Sequence, residues 1–300
     1  MKHVIDIRDF EVPDLDAIFK ETDRMISGAP SDALKGKILA ALFYEPSTRT
    51  RLSFESAMHR LGGSVVGTEN AGEFSSAAKG ETLEDSIRVV SAYADAIVIR
   101  HPEAGSAARA AAVSGVPVIN AGDGAGQHPS QALLDAYTIY RETGSLSGKK
   151  VTFVGDLKNG RTVRSLAYLL SKYEGLELTL VSPRELAMGT DILEYLREKG
   201  VKITETEELV GAMAEAEVVY QTRIQKERFP SEAEYLKFKG RYIITRALAD
   251  TMKPGAIIMH PLPRVDEITP EVDASEHARY FEQARYGLYV RMALLRTLLG

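Results

Sequence analysis

Short apolar stretches rich in β-branched residues alternate with longer stretches of helical periodicity along most of the chain. This alternation is typical of a parallel sheet with helices on both faces. We predict seven strands, at residues 38–43, 96–99, 116–120, 151–154, 178–181, 218–222 and 256–259. The pattern therefore predicts an α/β fold.

Three helices are well defined between these strands. Residues 47–61 place apolar side chains at i, i+3, i+4 and i+7, namely Phe54, Ala57, Met58 and Leu61, and two glycines follow. Thr82 and Asp85 form a capping-box-like start for a second helix. Residues 163–170 repeat the helical period in a third.

The length of 300 residues favours two domains, each with its own core. The stretch TGSLSG at 143–148 separates a helical pattern from a strand, so we place the boundary there. The expected domains are 1–144 and 145–300, each a mainly parallel sheet flanked by helices. The sequence leaves open whether the last helix, 285–300, packs back on the first domain.

Composition and charge exclude several classes of function. A net charge of −5 argues against general affinity for nucleic acid or anionic membranes, so an anionic ligand would need a local cluster of donors. The absence of cysteine excludes disulfides, zinc–thiolate sites and thiol nucleophiles, and is compatible with a reducing compartment. No run of 18 apolar residues and no apolar signal-like segment occurs, so we expect a cytoplasmic protein that neither spans a membrane nor is secreted.

Basic and hydroxyl side chains follow the predicted strands, where parallel sheets bind ligands. The segment that opens the helix after the first strand carries Ser47, Thr48, Arg49 and Thr50. Later strand ends are followed by Arg100, by His128 and Gln131, by Arg161, by Arg223 and Gln225, and by His260-Pro261-Leu262. Hydroxyls, arginines and helix N–H groups together suit a phosphate or another anion.

Each of these groups alone also has an ordinary structural explanation. A Ser/Thr N-cap beside a solvated arginine, a surface salt bridge or a buried histidine is common in proteins. Six strand ends that all supply such groups in a net acidic chain favour a binding site. The loop GDLKNG at 155–160 does not match G-x-G-x-x-G, which argues against a dinucleotide site.

The chain closely resembles the aspartate/ornithine carbamoyltransferase family, and within it the branch that acts on aspartate. The resemblance rests on FYEPSTRTRLSFE (43–55), KGE (79–81), RHP (100–102), NAGDG (120–124), QHPSQ (127–131), GRT (160–162), TRIQKER (222–228) and HPLPRVDEI (260–268). Ser130 stands where the family usually has threonine, which keeps the hydroxyl.

The resemblance implies a role for each candidate residue, with the active site between the two domains. Carbamoyl phosphate would be bound by Ser47, Thr48, Arg49, Thr50, Arg100, His128, Gln131 and the main-chain carbonyls of Pro261 and Leu262. Aspartate would be bound by Lys79, Arg161, Arg223 and Gln225. Ser75 and Lys79 would come from the adjacent subunit, and the catalytic set would be Arg49, Thr50, Lys79, Arg100 and His128.

The implied reaction is transfer of the carbamoyl group to the amine of L-aspartate, an early step of de novo pyrimidine biosynthesis. Carbamoyl phosphate already carries its leaving group, so we expect no covalent nucleophile, metal or cofactor. The resemblance also implies a homotrimer. The sequence leaves open whether separate regulatory chains join it.

Two alternatives remain at this point. A carbamoyltransferase for another amine, such as ornithine, shares part of the motifs, although its usual His-Cys-Leu-Pro segment is here His260-Pro261-Leu262-Pro263. Arg223 suits a carboxylate and would repel the ammonium group of ornithine. The second alternative is a catalytically inactive anion-binding homologue, against which the complete set of charged motif residues argues.

Overall fold

The computed structural model describes residues 2–28, 31–71, 79–226 and 229–300. The chain forms two compact units, Met1–Leu134 with Arg285–Gly300 and Asp135–Ala284. The predicted domain boundary at residues 144 and 145 stays a prediction.

Nine strands are present in the described residues: β1 Ile38–Phe43, β2 Ser64–Glu69, β3 Ala96–His101, β4 Val118–Asp123, β5 Lys150–Val154, β6 Glu177–Val181, β7 Lys202–Thr206, β8 Val218–Gln221 and β9 Ile257–Met259. The α-helices in the same residues are α1 Val12–Gly28, α2 Thr48–Arg60, α3 Leu83–Val90, α4 Ser106–Val113, α5 Pro129–Thr143, α6 Arg161–Leu170, α7 Thr190–Glu198, α8 Leu209–Glu215, α9 Glu232–Leu236, α10 Arg246–Ala249 and α11 Tyr280–Leu299.

The first unit contains a parallel sheet of order β2-β1-β3-β4. Apolar residues of β1 and β3 pack with those of α3 and α4 in one core cluster, in which Ile87, Ile97 and Ala110 are fully buried. In the register of β1 and β3, Phe43 lies beside Arg100. The last residues of these two strands therefore reach the same edge of the sheet together.

The second unit contains a parallel sheet of order β7-β6-β5-β8-β9. Val154, Val219 and Ile258 from three adjacent strands are fully buried in its core, together with Met213 of α8. Two parallel sheets with flanking helices confirm the predicted fold class.

All seven predicted strands are present, with ends that differ by up to three residues from the prediction. The prediction missed β2 and β7, which lie at one edge of their respective sheets. Both have mostly exposed side chains, because an edge strand needs no continuous apolar run. The helix predicted at 47–61 is observed as α2, and Thr82 caps α3 by accepting a hydrogen bond from the Asp85 amide.

None of the helices in the part of the chain that the structure describes combines the length and apolar character needed to cross a bilayer.

Candidate functional site

The predicted binding residues fall into two groups, one in each unit. The first cluster comprises Ser47, Thr48, Arg49, Thr50, Arg100, His128 and Gln131 of the first unit. The second cluster comprises Arg161, Arg223, Gln225, Pro261 and Leu262 of the second unit. Each cluster follows the carboxyl ends of strands in its own parallel sheet.

The start of α2 supplies four residues of the first cluster. Ser47 occupies the N-cap position, yet its side chain makes no capping hydrogen bond. The first N–H groups of a helix have no acceptor within the helix, so they suit an incoming anion. Thr50 is buried, whereas Thr48 and Arg49 are exposed. This arrangement differs from an ordinary serine N-cap, in which the hydroxyl itself would occupy the helix N–H groups.

Arg100 is held at the end of β3 by its neighbours in the sheet. Its Nε atom lies 3.4 Å from Oε2 of Glu45, and its Nη1 donates to the carbonyl of Ala121 at 3.4 Å. Its carbonyl accepts a 2.8 Å hydrogen bond from the Tyr44 amide. The side chain is only 16% exposed, so the guanidinium lies within the loops at this edge and not on the open surface.

A buried network shapes the loop that leads to His128. The Asp123 carboxylate accepts hydrogen bonds from the amides of Gln127 at 2.7 Å and Gly105 at 2.9 Å. The side-chain amide of Asn120 also donates to it, at 3.2 Å. These bonds help to fix the path of the chain from β4 to α5, because they tie the loop, β4 and the residue before α4 to the same carboxylate.

His128 and Gln131 lie at the start of α5 and are nearly fully buried, at 3% and 8% exposed. The Ser130 hydroxyl lies 3.4 Å from Nδ1 of His128. Ser130 itself is completely buried. This contact places a hydroxyl group beside one ring nitrogen of His128 within the buried start of α5.

The part of the chain between β2 and α3 carries the two residues expected to act on a neighbouring subunit. Lys79 is exposed in the single chain. Ser75 lies outside the described residues. Their assignment to an adjacent active site stays a prediction.

In the second cluster, Arg223 and Gln225 follow β8 directly and are half-buried. The preceding residue, Thr222, is fixed to β5 by two bonds to the Val154 carbonyl, from its amide at 2.8 Å and its hydroxyl at 3.0 Å. Gly155 passes so close that a Cβ at this position would lie 2.4 Å from the Thr222 carbonyl oxygen. The ends of β5 and β8 are thus packed closely together, and Arg223 comes directly after Thr222 in the chain.

Arg161 begins α6 after a turn built on Asp156. The Asp156 carboxylate is buried and accepts from the Asn159 amide at 3.0 Å and from its side chain. Gly160 at the N-cap position has no side chain to cap the helix. The start of α6 therefore resembles the start of α2 in the first unit. In both, an arginine lies in the first turn of a helix, where the N–H groups have no acceptor within the helix.

Pro261 and Leu262 lie in the loop after β9 and are half-buried. Leu262 has a positive φ of 52°, which non-glycine residues rarely adopt, and the following bond to Pro263 is cis. His260, directly before them, is 2% exposed and lies 2.8 Å through Nε2 from Oε1 of Glu267.

Arg264, in the same loop, has a different environment. Its guanidinium pairs with both carboxylate oxygens of Asp273 and lies over the Tyr280 ring, 5.2 Å from the centroid. The hydrogen bonds to Asp273 raise the pKa of Arg264. This arginine is therefore engaged in structural contacts within its own unit.

The sequence prediction assigned no role to several buried polar residues that support these loops, namely Asp123, Asp135, Tyr220 and Glu267. It counted His260 among the basic groups at strand ends but did not predict its pairing with Glu267. For Asp135 a signal was available, since a carboxylate in the apolar stretch ALLDAYTI of a helix demands a buried partner. For His260 and Glu267 the sequence offers no comparable signal, because their pairing depends on the path of the loop.

Two family models match the chain in succession. "Aspartate/ornithine carbamoyltransferase, carbamoyl-P binding domain" matches residues 2–141, and "Aspartate/ornithine carbamoyltransferase, Asp/Orn binding domain" matches residues 147–298. The chain belongs to the aspartate/ornithine carbamoyltransferase family. The first cluster falls within the carbamoyl-phosphate domain of this family, and the second falls within its amino-acid domain.

Relatives within the family are named for aspartate. Aspartate carbamoyltransferase 3, chloroplastic, from Pisum sativum is 58% identical over 99% of this chain and 77% of its own length. The aspartate carbamoyltransferase catalytic subunit from Thermococcus gammatolerans is 55% identical over 100% of this chain and 98% of its own.

Solved structures of the family have the same fold. The catalytic subunit of M. jannaschii aspartate transcarbamoylase matches with a TM-score of 0.91 and 52% identity, covering 99% of this chain and 98% of that one. Aspartate transcarbamoylase from Trypanosoma cruzi, in complex with carbamoyl phosphate and aspartate, matches with a TM-score of 0.93 and 42% identity, covering 100% and 97%.

Proposed function

We propose that this protein transfers the carbamoyl group of carbamoyl phosphate to the amino group of L-aspartate, giving N-carbamoyl-L-aspartate and phosphate. The observation that carries the proposal is the full-length match to a family whose relatives, at 53–58% identity, are named aspartate carbamoyltransferases. The product would enter pyrimidine biosynthesis.

The first cluster has the chemistry needed to bind carbamoyl phosphate. The uncapped start of α2, the hydroxyls of Ser47, Thr48 and Thr50, and the Arg49 guanidinium would bind the phosphate, with Gln131 donating nearby. Arg100, whose mostly buried side chain lies beside Glu45, would add a second guanidinium.

The second cluster has the chemistry needed to bind a dicarboxylic amino acid. Arg161 and Arg223 would each pair with a carboxylate, and Gln225 would donate an additional hydrogen bond. This favours aspartate over ornithine, whose side chain carries an ammonium group that two arginines would repel. The carbonyls of Pro261 and Leu262 would accept hydrogen bonds from the carbamoyl NH2.

The reaction would proceed by direct attack. The neutral aspartate amine forms a bond to the carbamoyl carbon, electrons move onto the carbonyl oxygen, and the bond to the phosphate oxygen then breaks. Neutral His128, with Thr50 and Arg100, would donate to the developing oxyanion, a contribution of about 3 kcal/mol per donor at typical sites. The proton lost by the amine would leave on the phosphate. Lys79 would add positive charge beside the leaving group.

Assembly and location belong to the same proposal. We infer a homotrimer in which Ser75 and Lys79 of one subunit complete the site of the next, a role that the exposure of Lys79 supports. The absence of cysteine supports a cytoplasmic location, although plant relatives are named as chloroplastic. Sedimentation of the purified protein and fractionation of the source cells test these two points.

A colorimetric ureido assay with carbamoyl phosphate and a panel of amines tests the activity. We expect product with L-aspartate and none above background with L-ornithine or with N-acylated amino acids. Product with ornithine alone would overturn the substrate assignment. Binding of carbamoyl phosphate in calorimetry without turnover of any amine would overturn the enzymatic function itself.

A further inference from the structure

The loop after β9 is organised around a buried pair of side chains, His260 and Glu267. Their exposed fractions are 2% and 6%, and Nε2 of His260 lies 2.8 Å from Oε1 of Glu267. The second carboxylate oxygen of Glu267 accepts from the amides of Val265 at 3.1 Å and Asp266 at 3.2 Å. One carboxylate therefore joins the histidine ring to the far end of the same loop.

The other ring nitrogen defines the tautomer of His260. The amide of Leu262 donates a 2.8 Å hydrogen bond to Nδ1 of His260. A backbone N–H can only donate, so Nδ1 must carry a lone pair, and the proton of the neutral ring lies on Nε2. The Glu267 carboxylate accepts that proton's hydrogen bond and so stabilises this tautomer over the alternative.

The bond between His260 and Leu262 has a direct geometric consequence. The Leu262 N–H belongs to the same planar peptide unit as the Pro261 carbonyl, and the two groups point in opposite directions from it. Fixing the N–H on the histidine ring therefore fixes the direction of the Pro261 oxygen. Leu262 continues from this fixed peptide plane with a positive φ of 52°, a conformation that leucine seldom adopts without support.

A second set of buried bonds anchors the start of the loop. The His260 amide donates at 2.9 Å to Oε1 of Gln283, and the Gln283 side chain donates at 2.6 Å to Asp135. Asp135 also accepts a 2.7 Å hydrogen bond from the Tyr220 hydroxyl. The backbone of His260 is thus fixed from one side while its ring fixes Pro261 and Leu262 from the other.

We propose that His260 is a positioning residue of the carbamoyl transfer, which aims the main-chain carbonyls of Pro261 and Leu262 at the carbamoyl NH2, and that Glu267 keeps it in the required tautomer. The inference rests on the proposed function, in which those carbonyls bind substrate. It predicts that an acceptor for the Leu262 amide, and not the imidazole itself, is what the reaction requires.

The test compares His260→Ala with His260→Asn. Alanine removes the acceptor, and since small misplacements of reacting groups cost about 100-fold, we expect kcat to fall by about that factor. An asparagine side chain readily accepts from the amide two residues ahead, so His260→Asn should recover at least about tenfold of the lost kcat. The KM for aspartate should change less than kcat in both variants.

His277→Ala is the matched control. His277 is also buried in the second unit, at 4% exposed, and its Nδ1 lies 2.7 Å from the Ala256 carbonyl. We expect this variant to lose thermal stability while its kcat stays within about threefold of wild type, since the His277 ring bonds Ala256, before β9, and not the loop after β9. Equal kcat losses in His277→Ala and His260→Ala would overturn the positioning role.

The outcomes separate the two proposals. A wild-type protein without carbamoyltransferase activity would refute the proposed function. An active wild type with unchanged kcat in His260→Ala, or with no recovery in folded His260→Asn, would refute the positioning role alone. If His260→Ala does not fold, His260→Asn decides: a kcat within about tenfold of wild type supports the role and a larger loss overturns it.

Discussion

The hydroxyl of Tyr220 donates a 2.7 Å hydrogen bond to the carboxylate of Asp135, and neither side chain has any exposed surface. Burial and the adjacent carboxylate raise the pKa of Tyr220 well above its usual value, so the hydroxyl remains a donor throughout the physiological pH range. Gln283 donates to the other oxygen of Asp135 at 2.6 Å. A buried carboxylate in this unit therefore accepts hydrogen bonds from two neutral donors.

Removal of the Tyr220 hydroxyl should be costly. Tyr220→Phe leaves Asp135 with one donor fewer in a site without water access, and we expect a loss of about 2–3 kcal/mol in the free energy of unfolding. Thermal and denaturant unfolding measure it. Tyr195→Phe is the control. The Tyr195 ring contacts Tyr168 edge to face, and this contact does not need the hydroxyl, so its removal should cost little stability. Equal stability losses in the two variants would argue against the bond.

The conformation of Gly155 should be required for the second cluster. Gly155 has a φ of 115°, and an added Cβ would lie 2.4 Å from the Thr222 carbonyl oxygen. Gly155→Ala should cost at least about 2 kcal/mol of stability and raise the KM for aspartate, because Thr222 must shift and Arg223 follows it. Gly200→Ala, at φ 74° with open space around it, isolates the backbone cost from the clash. If Gly155→Ala lost no more stability than Gly200→Ala and had the same KM for aspartate, this reasoning would be contradicted.

Arg223 should act on one substrate only. Arg223→Ala is expected to raise the KM for aspartate by at least about tenfold, the usual cost of a lost charge-assisted pair, and to leave the Kd of carbamoyl phosphate nearly unchanged. Steady-state kinetics and calorimetry measure the two quantities. Arg246→Ala removes an exposed arginine of the same unit that pairs with nearby Asp250 and serves as the control for charge. Equal losses for both substrates would contradict the proposed division between the two clusters.

His128 should contribute to the transition state. His128→Ala is expected to lower kcat by about one to three orders of magnitude, the range for loss of an oxyanion donor. His59→Ala removes a histidine at the opposite end of α2, whose Nδ1 lies 3.3 Å from the Gly63 carbonyl, and should leave kcat unchanged. An unaltered kcat in His128→Ala would show that this residue does not contact the reacting atoms.

Asp95 gives the first unit a pH-dependent contribution to stability. Its carboxylate accepts hydrogen bonds from the Ile38 amide at 2.8 Å and from Lys37 at 3.1 Å. The bond from the Ile38 amide lowers the pKa of Asp95 below 3.8. Lys37 adds to this effect, and burial opposes it. A lowered pKa stabilises the fold fully above 3.8, and the contribution is lost as the pH falls through the lower folded value.

The comparison with Asp95→Asn measures this effect. Since the side chain is 34% exposed, we expect a stability difference below about 1 kcal/mol at neutral pH, shrinking in acid. Asp16→Asn, on an exposed position of α1, controls for the loss of one negative charge. A difference that grows as the pH falls would contradict the assigned sign.

The sequence determined the fold class and the central strands of both sheets. Strands such as β1 and β8 are buried on both faces, so their apolar runs are visible without any tertiary information. The strands β2 and β7 were not visible, because most of their side chains are exposed and can stay polar. The strands β4 and β9 at the opposite edges are buried and were predicted. The candidate binding residues after each strand could also be predicted, since binding an anion requires those residue types at strand ends.

Only the tertiary structure decided what holds those residues in place. That Ser47 leaves the start of α2 uncapped depends on its backbone angles, which the residue type does not specify. Asp135 meets Tyr220 across 85 residues of sequence, and His260 meets Glu267 only through the path of a loop. Such contacts arise from burial and the need to satisfy buried polar groups, which act between distant segments and leave no periodic pattern in the chain.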